Sequence, residues 1–290
     1  MIRLRLGGVP EHFNLPWLRL LESPALGALG IRVEWRDVPE GSGAMAAALR
    51  ANELDVAMLL TEGAVAGIAN GGGFKIVSLY TESPLLWGIH VPAASALATV
   101  ADVRGARYAI SRRGSGSHLM AAVHAREQGW PADALDLVVV GNLQGAVDAF
   151  AAGTADVFFW EKFMTKPLVD DGRFRRVGEF AAPWPAFVVC ASTAAIAKHG
   201  AAIAVLVQRA LIAAAELKAS EDAAAVIAAR YGLERDDVAE WLGVTRWAAH
   251  VGVEPRALDP AIQGLRAVGL VPQDLAAAAV IDRLAAAGAG

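Results

Sequence analysis

The residues with the clearest chemical potential lie in the stretch Arg107-Tyr108-Ala109-Ile110-Ser111-Arg112-Arg113-Gly114-Ser115-Gly116-Ser117-His118. A β-like run, Arg107 to Ile110, gives way to serine, glycine and arginine. The helical pattern Leu119-Met120-Ala121-Ala122-Val123 follows. Backbone N–H groups at the start of a helix lack internal partners, and the helix dipole adds partial positive charge there. Gly114 and Gly116 permit close approach to the main chain, while Ser111, Ser115 and Ser117 offer hydroxyls. Adjacent residues on an extended segment point opposite ways, so one of Arg112 and Arg113 can neutralise a carboxylate or sulfonate. This set is suited to holding a small polar or anionic group. It is not by itself chemistry for transforming one.

Further candidates follow predicted strands. Glu11, His12 and Asn14 come after Ile2–Leu6 by way of Gly7-Gly8-Val9-Pro10 and can donate or accept at a cleft mouth. Alternatively, Asn14 caps the next helix and His12 is solvated. Ser42 and Gly43, after the strand Ile31–Asp37, bind an anion or simply turn the chain. Thr61 and Glu62 open the helix after Val56–Leu60, where a carboxylate stabilises any helix start by about 0.3–1 kcal/mol. Trp160 and Glu161 close the strand Val157–Trp160. The indole either stacks on a planar ligand or packs in the core.

Other chemistries find little support. The histidines at 12, 90, 118, 124, 199 and 250 include no pair at metal-ligand spacing, so no metal is expected. Gly114-Ser115-Gly116-Ser117-His118 lacks the lysine of a nucleotide-phosphate loop, and no dinucleotide fingerprint or Gly-x-Ser-x-Gly elbow occurs. No cofactor is expected, and no catalytic residue is assigned. Cys190, the only cysteine, lies in the apolar run Ala186-Phe187-Val188-Val189-Cys190-Ala191 and reads as core rather than nucleophile.

Elements able to position these groups alternate through the first two thirds of the chain. Strands are predicted at Ile2–Leu6, Ile31–Asp37, Val56–Leu60, Phe74–Leu79, Leu85–Val91, Arg107–Ile110, Leu137–Val140 and Val157–Trp160. Helices are predicted over Pro16–Ala28, Ala44–Ala51, 117–129 and 143–152. Alternation of this kind argues for parallel sheets covered by helices on both faces. From about residue 192 the pattern is almost wholly helical, with breaks near Ser192, Ser220, Gly232, Gly243 and Gly269. Ala48-Leu49-Arg50-Ala51-Asn52-Glu53-Leu54-Asp55-Val56 aligns with Ala149-Phe150-Ala151-Ala152-Gly153-Thr154-Ala155-Asp156-Val157. The echo reflects two related halves or arises by chance in an alanine-rich chain.

The 290 residues are 55% hydrophobic and 19% charged, which is globular rather than disordered and long enough for one large or two ordinary domains. The net charge of -4 and the absence of long basic runs speak against nucleic acid. No run approaches the roughly 18 uninterrupted apolar residues of a membrane span, so the chain is not expected to be membrane-embedded. It opens directly on a strand-like segment without an apolar leader or cleavage site. A cytoplasmic location is the expectation, or a periplasmic one if a leader has been removed.

The segments Asp102-Val103-Arg104-Gly105-Ala106-Arg107-Tyr108-Ala109-Ile110, Trp160-Glu161-Lys162-Phe163-Met164-Thr165-Lys166-Pro167-Leu168-Val169 and Pro183-Trp184-Pro185, with the Gly/Ser turn and the repeated helix–turn–Asp-Val–strand, carry a resemblance. Over roughly residues 1–200 the chain resembles the substrate-binding proteins of ABC importers with the periplasmic-binding-protein type 2 fold. The similar branch is that of nitrate, sulfonate, taurine and thiamine-pyrimidine-precursor binders. The resemblance implies an α/β fold with two lobes, two open mixed sheets with flanking helices, and two crossover hinge strands. Residues 1–85 and 188–290 would form one lobe and 86–187 the other, closing on a ligand between them. It implies a planar, anionic organic ligand such as a sulfonate, aromatic acid or pyrimidine, and an ABC permease as partner. Two departures matter: no export signal is seen, and one cysteine supplies neither the cysteine cluster of similar pyrimidine-synthesising enzymes nor an evident desulfinase nucleophile. The alternative is a cytosolic enzyme on the same fold, a lyase or menaquinone-pathway-like protein with His12 or His118 as general base.

Overall fold

Ile2–Gly8 (β1) is the seed of the first sheet, because it pairs on both sides. In the computed structural model, which describes residues 1–131 and 135–284, β1 runs parallel to Ile31–Asp37 (β2), from Ile2 opposite Ile31 to Gly8 opposite Asp37. On its other flank lies Val56–Leu60 (β3), with Leu6 opposite Val56. Phe74–Thr81 (β4) completes the set from the first third of the chain. In the second sheet, Leu86–Pro92 (β5), Arg107–Ile110 (β6), Asp136–Val139 (β7), Val157–Glu161 (β8) and Phe174–Ala181 (β9) assemble in the order β7-β6-β8-β5-β9. The returning strand Phe187–Ser192 (β10) enters the first sheet antiparallel between β3 and β4, giving β2-β1-β3-β10-β4. β3 and β10 are nearly continuous apolar runs because both their faces are covered.

The two sheets have one plan. β6, β7 and β8 take the places of β1, β2 and β3, while β5 and β9 take those of β10 and β4. The sequence echo is the visible trace of this repeat. The helices Ser42–Arg50 and Leu143–Ala151 end alike, with Asn52 (φ 55°) and Gly153 (φ 63°) both in the left-handed region. The N–H groups of Glu53 and Thr154 then reach back to Ala48 O at 2.8 Å and Ala149 O at 2.9 Å. That is a Schellman closure in both halves, and it explains why asparagine and glycine occupy the equivalent position. The aspartates that follow do the same job. Asp55 accepts from Arg5 Nε at 3.0 Å and Nη2 at 2.8 Å; Asp156 accepts from Arg107 Nε at 2.8 Å and Nη2 at 2.7 Å.

The chain divides into two compact units. One comprises Met1–Ser83, Trp184–Ile262 and the described part of Val271–Gly290. The other comprises the described part of Pro84–Pro183, with Gln263–Leu270. The first unit adds the helices Thr193–Ala219, Ala223–Tyr231 and Arg235–Val244 to its sheet. Ser192 Oγ caps the first of these by accepting from Ala195 N–H at 3.1 Å. That helix, kinked at His199, is long and apolar enough by length and composition to cross a membrane, which the run-length reading of the sequence did not register. Its buried residues, among them Ile203, Leu206, Val207, Ala210, Leu211, Ala214 and Leu217, face the core of the first unit.

Three expectations need correction. The helix predicted over Pro16–Ala28 is two, Leu15–Glu22 and Ala25–Ala28, because Ser23-Pro24 interrupts the backbone ladder. β1 extends through Gly7 and Gly8 rather than stopping at Leu6. β9 was not foreseen: Arg175, Arg176 and Gly178 disguise an edge strand whose arginine donates to Ser95 O and Leu97 O.

Candidate functional site

In each unit, parallel strands deliver the chain to helix starts at one rim, the edge where open α/β sheets place ligands. In the second unit β6 leads into the Ser111–Ser117 turn and then the helix Gly116–Glu127. Ser115 and Ser117 are buried, Ser111 and Gly116 half-buried and Arg112 exposed. Ser117 Oγ accepts from Ser111 N–H at 3.0 Å and lies 3.2 Å from Ser111 Oγ and 3.0 Å from Ser115 Oγ. Three hydroxyl protons serve these two oxygen–oxygen contacts, leaving one for an outside acceptor. Ser115 Oγ caps the helix by accepting from His118 N–H at 3.4 Å. His118 Nδ1 accepts from Gly114 N–H at 3.0 Å, so its proton sits on Nε2 when the ring is neutral. Among the described residues no hydrogen bond claims the N–H of Gly116 or Ser117.

Trp160 and Glu161 end β8 in the same unit. Trp160 is stacked on Phe158 with centroids 5.0 Å apart and packs against the cluster of Ala146, Phe150 and Leu168. The indole is half-buried, with one part of it packed in this way. Glu161 is buried and its Oε2 accepts from Met164 N–H at 2.7 Å, which fixes the turn after the strand.

In the first unit the rim residues are more deeply enclosed than a cleft mouth requires. His12 is fully buried, its ring 4.2 Å from Trp241 and 4.9 Å from Phe13, and neither ring nitrogen has a hydrogen-bond partner among the described residues. Burial pushes it down to about 3, so it is a neutral aromatic. The solvated-histidine alternative is thereby overturned. The Phe13 carbonyl holds this turn in place by accepting from Tyr80 Oη at 2.7 Å and Trp247 Nε1 at 3.4 Å. Asn14 does not cap the helix with its side chain; its Nδ2 donates to Val9 O at 2.8 Å. The neighbouring Glu11 carboxyl is raised by desolvation to about 7.

Ser42, Gly43, Thr61 and Glu62 form the remaining part of that rim. Ser42 Oγ accepts from Leu60 N–H at 2.9 Å, and a Cβ at Gly63 would stand 2.9 Å from Ser42 Cβ. The two helix starts therefore touch. Gly43 is the second residue of its helix and half-buried. Thr61 Oγ1 donates to Pro185 O at 2.5 Å. Glu62 is 3% exposed; its Oε2 accepts from Trp184 Nε1 at 2.9 Å while Oε1 has no partner among the described residues. Burial raises this carboxyl to about 7, against the pull of its own N–H and of the indole. Trp184 is the residue that sequence reasoning missed. Pro183-Trp184-Pro185 stands out in the sequence, but nothing local ties its indole to Glu62. The structure thus brings together Ser111, Ser115 and Ser117 in one unit, and Ser42, Thr61 and Glu62 in the other.

Residues 87–180 match the family model described as Ca3427-like PBP. No curated protein matches the chain. Among solved structures it is similar to the Candida albicans CA3427 gene product, described as having the generic periplasmic binding protein fold. The identity is 23%, over 98% of this chain and 97% of that one, with a TM-score of 0.88. It is also similar to the periplasmic aliphatic sulphonate binding protein SsuA of Escherichia coli, at 19% identity, 99% and 94% coverage and a TM-score of 0.79. The alkanesulfonate-binding protein SsuA of Xanthomonas axonopodis pv. citri, bound to MOPS, gives 20%, 98% and 99%, and 0.79. With one strand order used in both sheets and this likeness along nearly its whole length, the protein has the periplasmic-binding-protein type 2 fold.

Proposed function

We propose that this chain binds a small anionic organic solute, a sulfonate or carboxylate, with the Ser111–Ser117 turn as its principal anion contact. The observation that carries the reading is the serine triplet at a helix start. It has one hydroxyl proton in excess of its internal contacts, two unclaimed N–H groups among the described residues and, next to Ser111 in the chain, the residue Arg112. Donors and positive potential converge there without a carboxylate among their bonded partners. Similarity to two sulfonate-binding proteins supports the ligand class. Ser42, Gly43, Thr61 and Glu62, and beside them Glu11 and Asn14, are the polar groups we propose for ligand contact at the corresponding rim of the first unit, taken by itself. A membrane permease of the ABC type is the partner this reading implies. No observation favours His12 or His118 as a general base, since the first is enclosed and the second has Nδ1 committed to Gly114.

Isothermal titration with a panel of alkyl and aryl sulfonates, aromatic carboxylates and pyrimidines tests the proposal. At least one anion is expected to bind, with Arg112→Ala weakening it about tenfold, the equivalent of about 1.4 kcal/mol. Silence across the panel, or binding indifferent to both Arg112→Ala and Ser111→Ala, would overturn it.

A further inference from the structure

A second feature of the first unit has no part in this rim. The C-terminal half of the helix Thr193–Ala219 and the segment 246–249 enclose a pocket of about 520 Å³, lined chiefly by Leu211, Ile212, Ala215, Ala219, Trp247 and Ala248. The segment is held against β4, through Ala248 N–H to Tyr80 O at 2.9 Å and Glu82 N–H to Arg246 O at 2.8 Å, so this wall is part of the sheet edge. Gln208 and Ile212 continue into a second hollow of about 580 Å³ with Ala204, Val205, Val251 and Leu284, and the exposed Arg209 on its rim. Residues 204, 208, 212, 215 and 219 recur at helical spacing, so the two hollows follow one helix face for about 20 Å. Only 39% of the most apolar window of this helix is buried.

Two cations close one end of the track. Lys218 Nζ donates to Thr245 O, and Arg246 is exposed beside it. Neither has a carboxylate within ion-pair distance among the described residues. Partial desolvation, and after it Arg246, disfavour charge on Lys218, so an anion placed here would relieve a like-charge contact as well as gain two partners. An apolar track ending in paired cations complements a molecule with an alkyl tail and one anionic head. We infer that the face formed by the helix Thr193–Ala219 and residues 246–249 is a binding site for a monomeric alkyl-chain anion, its carboxylate or sulfonate at Lys218 and Arg246 and its tail along Ile212 and Gln208.

This inference does not depend on the anion site at Ser111–Ser117, and the experiment separates the two. Decanesulfonate below its micellar concentration is titrated into the intact chain by calorimetry, with the fluorescence response that is lost in Trp247→Phe (Trp247 is one of eight tryptophans) as the local probe. It should bind, while ethanesulfonate, with the head alone, and decanol, with the tail alone, should each bind at least about tenfold more weakly at this face. Arg246→Gln and Lys218→Gln should each weaken decanesulfonate about tenfold, and Ala215→Trp, at an exposed position, should block the track. Arg112→Ala should leave the Trp247 response unchanged. Binding unaffected by both Arg246→Gln and Ala215→Trp would overturn the assignment. So would cosedimentation with phosphatidylglycerol vesicles in the absence of any decanesulfonate response, which would make the face a membrane-docking surface instead.

Discussion

Replacing Glu62 by glutamine should stabilise the protein at neutral pH and have almost no effect in mild acid. The carboxyl is 3% exposed, has one unpartnered oxygen, and is raised from an ordinary 4.5 to about 7 by burial. A carboxyl that is harder to ionise when folded binds more protons in the native than in the unfolded state between those two values. Stability is therefore fully present below pH 4.5 and falls as the pH rises towards 7. At about 1.4 kcal/mol per pH unit, that interval amounts to about 3 kcal/mol, reached just above neutrality and constant thereafter. Glutamine keeps the shape and an acceptor for Trp184 Nε1 but has no charge to desolvate. Urea unfolding of both proteins across pH 4.5 to about 8 measures the difference directly. It should be close to zero at the acid end and grow to about 3 kcal/mol in favour of Glu62→Gln at the alkaline end. Glu11 and His12 also titrate in or near this range, His12 with the opposite sign, yet they are common to both proteins and cancel in the difference. A difference independent of pH, or one favouring wild type above pH 7, would refute the reasoning.

Four other perturbations follow from the same structure. His12→Phe should change stability at neutral pH by less than about 1.5 kcal/mol. It should also remove the wild-type loss of stability that sets in below pH 6.5 and continues towards 3, as acid unfolding followed by fluorescence would reveal. Asp55→Asn should cost about 1–2 kcal/mol in urea, because the carboxylate is 16% exposed and holds both the side chain and N–H of Arg5. The equivalent Asp156→Asn, at 32% exposure, should cost less. Gly63→Ala should cost about 1–3 kcal/mol, since the new Cβ would meet Ser42 Cβ at 2.9 Å, and a thermal melt reads the loss.

Much of the scaffold was legible because its elements declare themselves locally. Val56–Leu60 and Arg107–Ile110 are apolar or β-branched runs bounded by turns, and their observed limits coincide with the expected ones. The echo between 48–56 and 149–157 was readable because one structural unit, a helix end closed by a left-handed residue and an arginine-clamped aspartate, is used twice. The serine turn was legible as a helix start, but not its internal wiring, because which hydroxyl bonds which depends on backbone geometry rather than order. Long-range environment was not legible at all. Nothing near His12 announces Trp241, and nothing near Glu62 announces Trp184, although burial among such distant neighbours is what keeps both groups neutral, the indole of Trp184 pulling the other way at Glu62. β9 escaped because its arginines serve carbonyls of another segment while the pattern of an edge strand is weak.

The late insertion of β10 has a consequence for how the chain emerges during synthesis. β3 receives its antiparallel neighbour only from 187–192, whereas every strand of the other sheet lies between residues 86 and 181. On the ribosome, then, the middle of the polypeptide can complete its hydrogen-bond ladder first. Meanwhile the leading segment waits with an apolar edge uncapped, exposed to mispairing until the last strand and its long helix arrive.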